Sequence, residues 1–165
     1  MNLLLRELAS KDEPLQLRGE LDMTSVVSDR HDIRAKHNSD VQLLAKAETD
    51  TVTVTGSLAV ILEFDCAKCL KAFEERTVLP VCETFTQQTR VAQKNEDIHL
   101  VTEDRVDLTP YLHELLIVNL PLAPVCQENC KGLCPRCGSD RNTSKCECIE
   151  EELDPRLAKL KKFLT

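Results

Sequence analysis

Apolar and polar residues alternate along much of the first 85 positions, which is the pattern of β-strands with one buried face. The clearest run is TVTVTGSLAVILEF, residues 51–64, in which Thr and Ser side chains occupy one face. The other face is apolar and comprises Val52, Val54, Leu58, Val60, Leu62 and Phe64. Weaker alternation covers residues 15–23, 41–48 and 70–85, and Pro80 in the last run predicts a sheet edge or a bulge. The sequence therefore predicts a mainly antiparallel, barrel-like β-sheet.

The period changes to that of a helix at residues 108–120, within the stretch DLTPYLHELLIVNLP. Thr109 is suited to cap this helix, Pro110 to its first position and Pro121 to its end. The apolar face that the helix carries predicts that it closes over the sheet.

The remaining segments complete an α+β fold. Residues 24–40 fit either a loop or a short helix, and DPRLAKLKKFLT, residues 154–165, predicts a short basic C-terminal helix. We therefore expect a β-rich domain over residues 1–125, closed by the helix, followed by a cysteine-rich segment and the basic helix over residues 126–165.

Composition and charge narrow the range of functions. The net charge of -7 and the scarcity of aromatic residues (four Phe, one Tyr, no Trp) disfavour an unspecific polyanion binder that stacks bases on aromatic rings. The stretch MNLLLRELASKDEPL lacks the features of a signal peptide, and no run approaches the ~20 apolar residues of a membrane span. We expect a cytoplasmic protein without a membrane partner. In that reducing compartment, nine cysteines indicate metal binding or catalysis rather than disulfides.

Eight of the nine cysteines form four close pairs, and each pair can supply two ligands to a tetrahedral zinc site. The most compact set of four, the local tetrad, comprises Cys134, Cys137, Cys146 and Cys148, with Gly138 suited to the tight turn. The other two pairs predict a set that closes across the fold, the long-range tetrad, comprising Cys66, Cys69, Cys126 and Cys130. One or two structural zinc ions are predicted. Two alternatives stay open: Cys130 could join the local set, or the long-range set could hold no metal. Cys82, alone in a strand, is interpreted as a core residue.

Catalytic interpretations fit these residues less well. Cys130, Cys134 and Cys137 have the spacing of radical SAM cluster sites, but too little chain follows them for the barrel of those enzymes. The Cys134–Cys137 pair lies in a loop rather than at the strand–helix junction of a thioredoxin-like site. His113 begins a zinc-hydrolase motif whose second histidine is replaced by Ile117, and the deaminase pattern lacks its His-x-Glu. No glycine-rich phosphate loop occurs either. We expect no enzymatic activity and no small-molecule substrate.

Four segments together give the chain a resemblance to a known family. They are LEFDCAKCLKAFE (residues 62–74), VDLTPYLHELLIVNLPLAPVC (106–126), CKGLCPRCGSDRN with CEC (130–148) and DPRLAKLKKF (154–163). The chain thereby resembles the bacterial YceD family, also called large ribosomal RNA subunit accumulation protein. The resemblance implies a cytosolic, non-enzymatic factor needed for normal accumulation of 23S ribosomal RNA, and hence for biogenesis of the large subunit. It also suggests a partner, because genes of the family commonly neighbour one for a small zinc-type large-subunit ribosomal protein.

The residues support three hypotheses about how such a factor acts. In the first, a basic facet binds large-subunit rRNA through phosphate contacts, which position a protein without reading sequence. Its residues are Lys131, Arg136, Arg141 and Lys145, extended by Arg156, Lys159, Lys161 and Lys162 of the predicted tail helix. The alternative is that these are ordinary solvated charges with no role in binding. In the second, an acidic face holds a basic large-subunit ribosomal protein before assembly; its residues are Glu63, Asp65, Glu74, Glu75 and Glu83. The third and weakest is a thiol redox switch in which oxidation ejects the metal.

Overall fold

The computed structural model of the protein describes residues 1–9 and 13–148. Within these residues the chain forms eight strands and three helices. In chain order they are β1 (Asn2–Leu4), α1 (Leu5–Ala9), β2 (Leu15–Leu21), β3 (Ile33–Ala35), β4 (Ser39–Ala47), β5 (Val52–Asp65), β6 (Ala72–Thr86), α2 (Thr89–Ala92), β7 (Ile98–Leu100), β8 (Arg105–Asp107) and α3 (Thr109–Asn119).

The main sheet has the strand order β2–β4–β5–β6–β7, and β3 pairs with the part of β5 that extends beyond β4. Every pairing in it is antiparallel except β6 with β7, and β1 and β8 form a separate antiparallel pair. In the part of the chain that the structure describes, β2 and β7 do not pair with each other, so the sheet stays open. The α+β prediction with mainly antiparallel strands is confirmed, but the sheet is not a closed barrel.

Strand β5 lies at the centre of the sheet and carries the apolar face that its sequence predicts. The six apolar side chains on that face are all buried, while the alternate positions are at least partly accessible. Gly56 interrupts this alternation, since it is exposed and a Cβ there would come within 2.1 Å of the Gln42 carbonyl oxygen of β4. Glycine is therefore required for the close approach of β4 to β5 at this point.

Helix α3 covers the sheet as predicted, with Leu112 and Leu116 buried against the core. The Tyr111 ring meets Phe85 of β6 edge to face, with 5.0 Å between the ring centroids. These contacts pack α3 against the sheet, and the cysteine-rich segment follows it in the chain.

The structure and the prediction differ in the residue that accepts hydrogen bonds at the start of α3. Pro110 lies in the first turn, but the Thr109 side chain makes no capping bond to the helix. Instead, a carboxylate oxygen of Asp107 accepts the Thr109 backbone N–H at 3.0 Å and the Thr109 hydroxyl at 2.7 Å. An Asp side chain commonly bonds the backbone two residues further on in this way.

The interpretation of Cys82 as a core residue is wrong, since its side chain is exposed. The side chains of β6 that reach the core are those of odd-numbered residues, Leu79, Val81 and Phe85. Successive residues of a strand point to opposite faces, so Cys82 lies on the outer face of the sheet.

Three other predictions concern less regular segments. Residues 24–40 contain turns followed by β3 rather than a helix. Pro80 lies where β6 has β5 as its one described neighbour, since β7 pairs only with residues 84–86, and this agrees with the predicted edge position. The predicted C-terminal helix at residues 154–165 lies outside the described residues.

Candidate metal centre

The long-range tetrad begins in the turn between β5 and β6, which carries Cys66 and Cys69. The Cys66 N–H donates to the Lys71 carbonyl oxygen at 3.0 Å, and the Leu70 N–H donates to the Cys66 carbonyl oxygen at 2.9 Å. Leu70 adopts the left-handed conformation, with φ of 59°, which lets the chain turn back into β6. Both thiols are buried. The predicted strand–turn–strand knuckle is therefore present.

The segment after α3 brings the other two cysteines to this knuckle. The Ala67 N–H donates to the Pro124 carbonyl oxygen at 2.8 Å, which docks the chain just before Cys126. The Sγ atoms of Cys66 and Cys130 are then 3.8 Å apart, and those of Cys69 and Cys126 are 3.7 Å apart. All four sulfur atoms lie within 4.8 Å of one another.

These separations fit a tetrahedral metal ion. Zinc–thiolate bonds of about 2.3 Å place the sulfurs of a regular tetrahedron about 3.8 Å apart, close to the 3.8 Å and 3.7 Å separations of these two pairs. All nine cysteines are free thiols, so no disulfide competes for these sulfur atoms. Four protein ligands would fill the coordination shell of zinc, which is the arrangement of a structural rather than a catalytic site.

The surroundings of the long-range tetrad favour a thiolate at Cys66. Burial raises the pKa of this thiol, but backbone N–H groups of Cys126, Cys69 and Lys68 outweigh burial and lower the pKa to about 6. At Cys126, burial and the neighbouring thiols, Cys69 first among them, raise the pKa to about 12. Four adjacent thiols thus resist ionising together, and a bound cation is the group that would relieve this repulsion.

The local tetrad is built within a single loop. The sulfur atoms of its four cysteines also lie within 4.8 Å of one another. The Cys134 N–H donates to the Ser139 carbonyl oxygen, and the Gly138 N–H donates to the Cys134 carbonyl oxygen, both at 2.9 Å. Gly138 has a φ of 72°, in the left-handed region that glycine accepts without strain. This is the role that the sequence predicts for it.

Hydrogen bonds also promote ionisation in the local tetrad. Backbone N–H groups of Cys137 and Arg136 lower the pKa of Cys134 to about 6. The side chain of Arg141 bonds the sulfur atoms of Cys134 and Cys146, and these bonds raise the pKa of its guanidinium. Arg141 therefore places a positive charge beside the sulfur atoms of Cys134 and Cys146.

The structure groups the cysteines in the two sets of four that the sequence predicts. Cys130 lies with the long-range tetrad, so the swapped arrangement is not the one observed. That each set holds a zinc ion stays a prediction.

One side chain that the sequence analysis did not select connects the two sets. Asn142 belongs to the loop of the local tetrad, yet its side-chain N–H donates to the Sγ of Cys130 at 3.5 Å. The signal in the sequence was weak: an Asx residue in a turn, two positions after Asp140.

Only part of the predicted basic facet is exposed. Lys131, Arg136 and Lys145 are exposed, whereas Arg141 is half-buried with its side chain on the sulfur atoms. The other four basic residues of that prediction, Arg156, Lys159, Lys161 and Lys162, lie outside the described residues.

Three of the predicted acidic residues share the outer face of the sheet and are bonded to cations there. Arg34 contacts Glu63 at 3.1 Å and Asp65 at 2.9 Å. Lys36 contacts Glu63 at 2.6 Å and Glu74 at 3.2 Å. The charge of these carboxylates is therefore largely balanced within the protein.

The other two acidic residues point the opposite way. Glu75 and Glu83 pair across the ladder with Leu62 and Val54, which belong to the buried face of β5. The Oε2 atom of Glu83 lies 2.7 Å from the Nε2 atom of His99, beneath α3. The prediction of a single acidic face is wrong, because odd and even positions of β6 face opposite sides of the sheet.

Residues 54–164, a stretch that includes both tetrads, match the family described as "Large ribosomal RNA subunit accumulation protein YceD". The chain belongs to the YceD family. The resemblance found in the four sequence segments is thus confirmed.

Relatives of the chain occur in several bacteria and in plants. An uncharacterized protein of Mycobacterium tuberculosis is 30% identical over 128 residues, which cover 76% of this chain and 61% of that protein. The uncharacterized protein YlbN of Bacillus subtilis is 25% identical over 154 residues, covering 93% of this chain and 86% of YlbN. The chain thus spans about three-fifths of the mycobacterial relative and most of YlbN.

A plant relative has a name that states a role. "Large ribosomal RNA subunit accumulation protein YCED homolog 1, chloroplastic" of Arabidopsis thaliana is 33% identical over 49 residues, 30% of this chain and 15% of the plant protein. No solved structure matches the chain. Among the described residues, no helix has the length and apolar character needed to cross a membrane.

Proposed function

We propose that this protein is a non-enzymatic, cytoplasmic factor in biogenesis of the large ribosomal subunit, and that it supports accumulation of 23S rRNA. The observation that carries the proposal is the family match over residues 54–164, since the family is named for large ribosomal RNA subunit accumulation. The chloroplastic relatives of Arabidopsis and maize carry the same name. The chemistry of the site agrees, because two sets of four thiols leave no open position for a substrate on a bound metal.

The metal of both tetrads is zinc in this proposal, with a structural role. The support is the all-sulfur donor set and the separation of the sulfur atoms, which suits zinc in tetrahedral coordination. Structural zinc contributes ~10–16 kcal/mol of apparent binding free energy in small peptides. Binding of that strength would fix the polar segment 126–148 as a rigid surface beside the sheet.

The partner in the proposal is rRNA, contacted by the exposed basic residues Lys131, Arg136 and Lys145 around the tetrads. Arg141 is left out of this contact set because its side chain bonds sulfur atoms of the local tetrad. The acidic-holder alternative, in which a basic ribosomal protein is bound, loses its main support, since the acidic residues divide between two faces.

The cellular test is depletion of the protein in its host, followed by measurement of the ratio of 23S to 16S rRNA and of free large subunits. The ratio should fall and should recover with the wild-type gene. An unchanged ratio after complete depletion would contradict the proposed function.

The binding test compares two triple variants that remove equal charge. Lys131→Ala/Arg136→Ala/Lys145→Ala should bind a 23S rRNA fragment more weakly and reduce the salt slope of log K by about one per lost phosphate contact. The control, Arg18→Ala/Arg76→Ala/Lys94→Ala, removes exposed charges elsewhere and should bind as the wild type does. Equal effects of the two variants would show that only net charge matters. Capture of a ribosomal protein that survives nuclease treatment would instead favour the protein-holding alternative.

A further inference from the structure

The two tetrads are neighbours in the chain and share backbone contacts. Only three residues separate Cys130 of the long-range tetrad from Cys134 of the local one. Within this link, the Leu133 N–H donates at 3.0 Å to the carbonyl oxygen of Lys68, which lies in the knuckle of the long-range tetrad. The Gly132 carbonyl oxygen accepts the Arg141 N–H, also at 3.0 Å, from the loop of the local tetrad. The link is thus bonded to both sites at once.

Asn142 adds a direct side-chain connection. It lies between the two cysteine pairs of the local tetrad, so the metal of that set would fix the loop that carries it. Its side-chain N–H donates to the Cys130 sulfur at 3.5 Å, and its side-chain oxygen accepts the Lys131 N–H at 2.8 Å. Asp140 holds the amide in this orientation, since its carboxylate accepts the side-chain N–H of Asn142 at 2.7 Å and its backbone N–H at 2.8 Å.

These contacts make each tetrad part of the other's surroundings. A metal in the local tetrad would order residues 138–145 and so hold the Asn142 amide at a ligand sulfur of the long-range tetrad. A metal in the long-range tetrad would fix Cys130 and the Lys68 carbonyl, and so position the chain entering Cys134. The first ion to bind would already have ordered the shared segment, so the second ion would bind without that loss of conformational entropy. This is a source of positive cooperativity.

We propose that the two tetrads bind metal cooperatively and that Asn142 is the positioning residue that couples them. The proposal rests on metal binding by both sets, as proposed above. Coupling between binding sites is reciprocal, so filling either tetrad raises the affinity of the other by the same factor. Loss of an outer-shell partner of a metal ligand typically costs 10–100-fold in metal affinity. Because the bond from Asn142 to sulfur is a single one, we expect the lower end, about tenfold.

The experiment titrates the full chain with cobalt(II), whose absorption reports tetrahedral thiolate coordination, in competition with a chelator of known affinity. The wild type is compared with Asn142→Ala, with Cys146→Ser/Cys148→Ser, which disables the local tetrad, and with the triple variant. The expected affinity of the long-range tetrad for cobalt falls about tenfold on Asn142→Ala. It should fall at least as much when the local tetrad is disabled, and adding Asn142→Ala to that variant should then change it little. This non-additivity is the mark of a shared interaction.

Thr143→Ala is the matched control, because its side chain is exposed and, among the described residues, bonds the Asp140 carbonyl of its own turn and neither tetrad. It should leave both affinities unchanged. Asn142→Ala keeps every thiol, so its result holds even if the cysteine variants fold poorly. If the wild type and Asn142→Ala both bound two cobalt ions with affinities that agree within twofold, that result would overturn the coupling and leave the proposed metal sites intact. Failure of the wild type to bind cobalt would overturn both.

Discussion

Replacing Gly132 by alanine tests whether the link between the two tetrads is as tightly packed as the structure shows. Gly132 has a φ of 70°, and a Cβ there would lie 2.9 Å from the Lys68 carbonyl oxygen. Forcing a non-glycine residue into the left-handed region costs roughly 1–2 kcal/mol. The clash also displaces the carbonyl that accepts the Leu133 N–H, and such a hydrogen bond contributes about 1 kcal/mol. We therefore expect Gly132→Ala to lower the free energy of unfolding by about 2–3 kcal/mol.

Gly138→Ala is the matched control, because Gly138 has nearly the same φ, 72°, but within the described part of the chain no atom beyond its two chain neighbours lies within 4 Å of the added Cβ. It should show only the conformational cost of about 1–2 kcal/mol. The assay is thermal unfolding of the metal-loaded protein. For a domain of this size the extra 1 kcal/mol lowers the midpoint of Gly132→Ala about 2–4 °C below that of Gly138→Ala. Equal midpoints, or a lower one for Gly138→Ala, would refute the close contact of the link with the knuckle.

Three further substitutions test the fold around the site. Leu116→Ala should lower the free energy of unfolding in urea by about 2–5 kcal/mol, because this side chain is 2% exposed between α3 and the sheet; a loss within about 0.5 kcal/mol of zero, as at a surface site, would argue against that packing. Cys82→Ser should leave the metal content unchanged and alter the free energy of unfolding by no more than about 0.5 kcal/mol, because Cys82 is exposed and outside both tetrads. A loss of metal in this variant would show that Cys82 is a ligand. Hydrogen bonds from the backbone and hydroxyl of Thr109 lower the pKa of Asp107 to about 2. Because the folded pKa lies below the unfolded value of about 3.9, this carboxylate stabilises the fold above that pH and ceases to do so as the pH falls towards the folded pKa. Asp107→Asn should remove that part of the acid sensitivity, seen in unfolding curves across this range; identical pH profiles would contradict the assignment.

The strands and the close pairs of cysteines were predictable because both depend on short-range rules. Alternation in residues 51–64 fixes which face of β5 is buried, and close cysteine pairs on turns can meet only in a few combinations. The position of Cys82 could also have been predicted, because the apolar residues of β6 already assign odd positions to the core. The same rule places Glu83 on the face of β6 that carries the core residues rather than on an acidic outer face.

Other features depend on contacts between segments far apart in the sequence. Whether the sheet closes into a barrel depends on whether its two edge strands pair with each other. Alternation along one strand carries no information about that pairing. The contact of Asn142 with Cys130 depends on how two turns pack, and Asn at a turn is explained equally well by local bonding. Arg141 illustrates the same limit, since its charge suggested a surface for rRNA while the fold directs it to sulfur.

The central claim is that two sets of four thiolates each hold a structural zinc ion, and metal content combined with thiol counting tests it most directly. On protein purified anaerobically, we expect two zinc ions per chain, one for each tetrad. Of the nine cysteines, Cys82 alone should react quickly with a thiol reagent until a chelator is added. Reduced protein that contains no metal, reacts at all nine thiols and still protects its amides over residues 126–148 from hydrogen exchange would contradict the account.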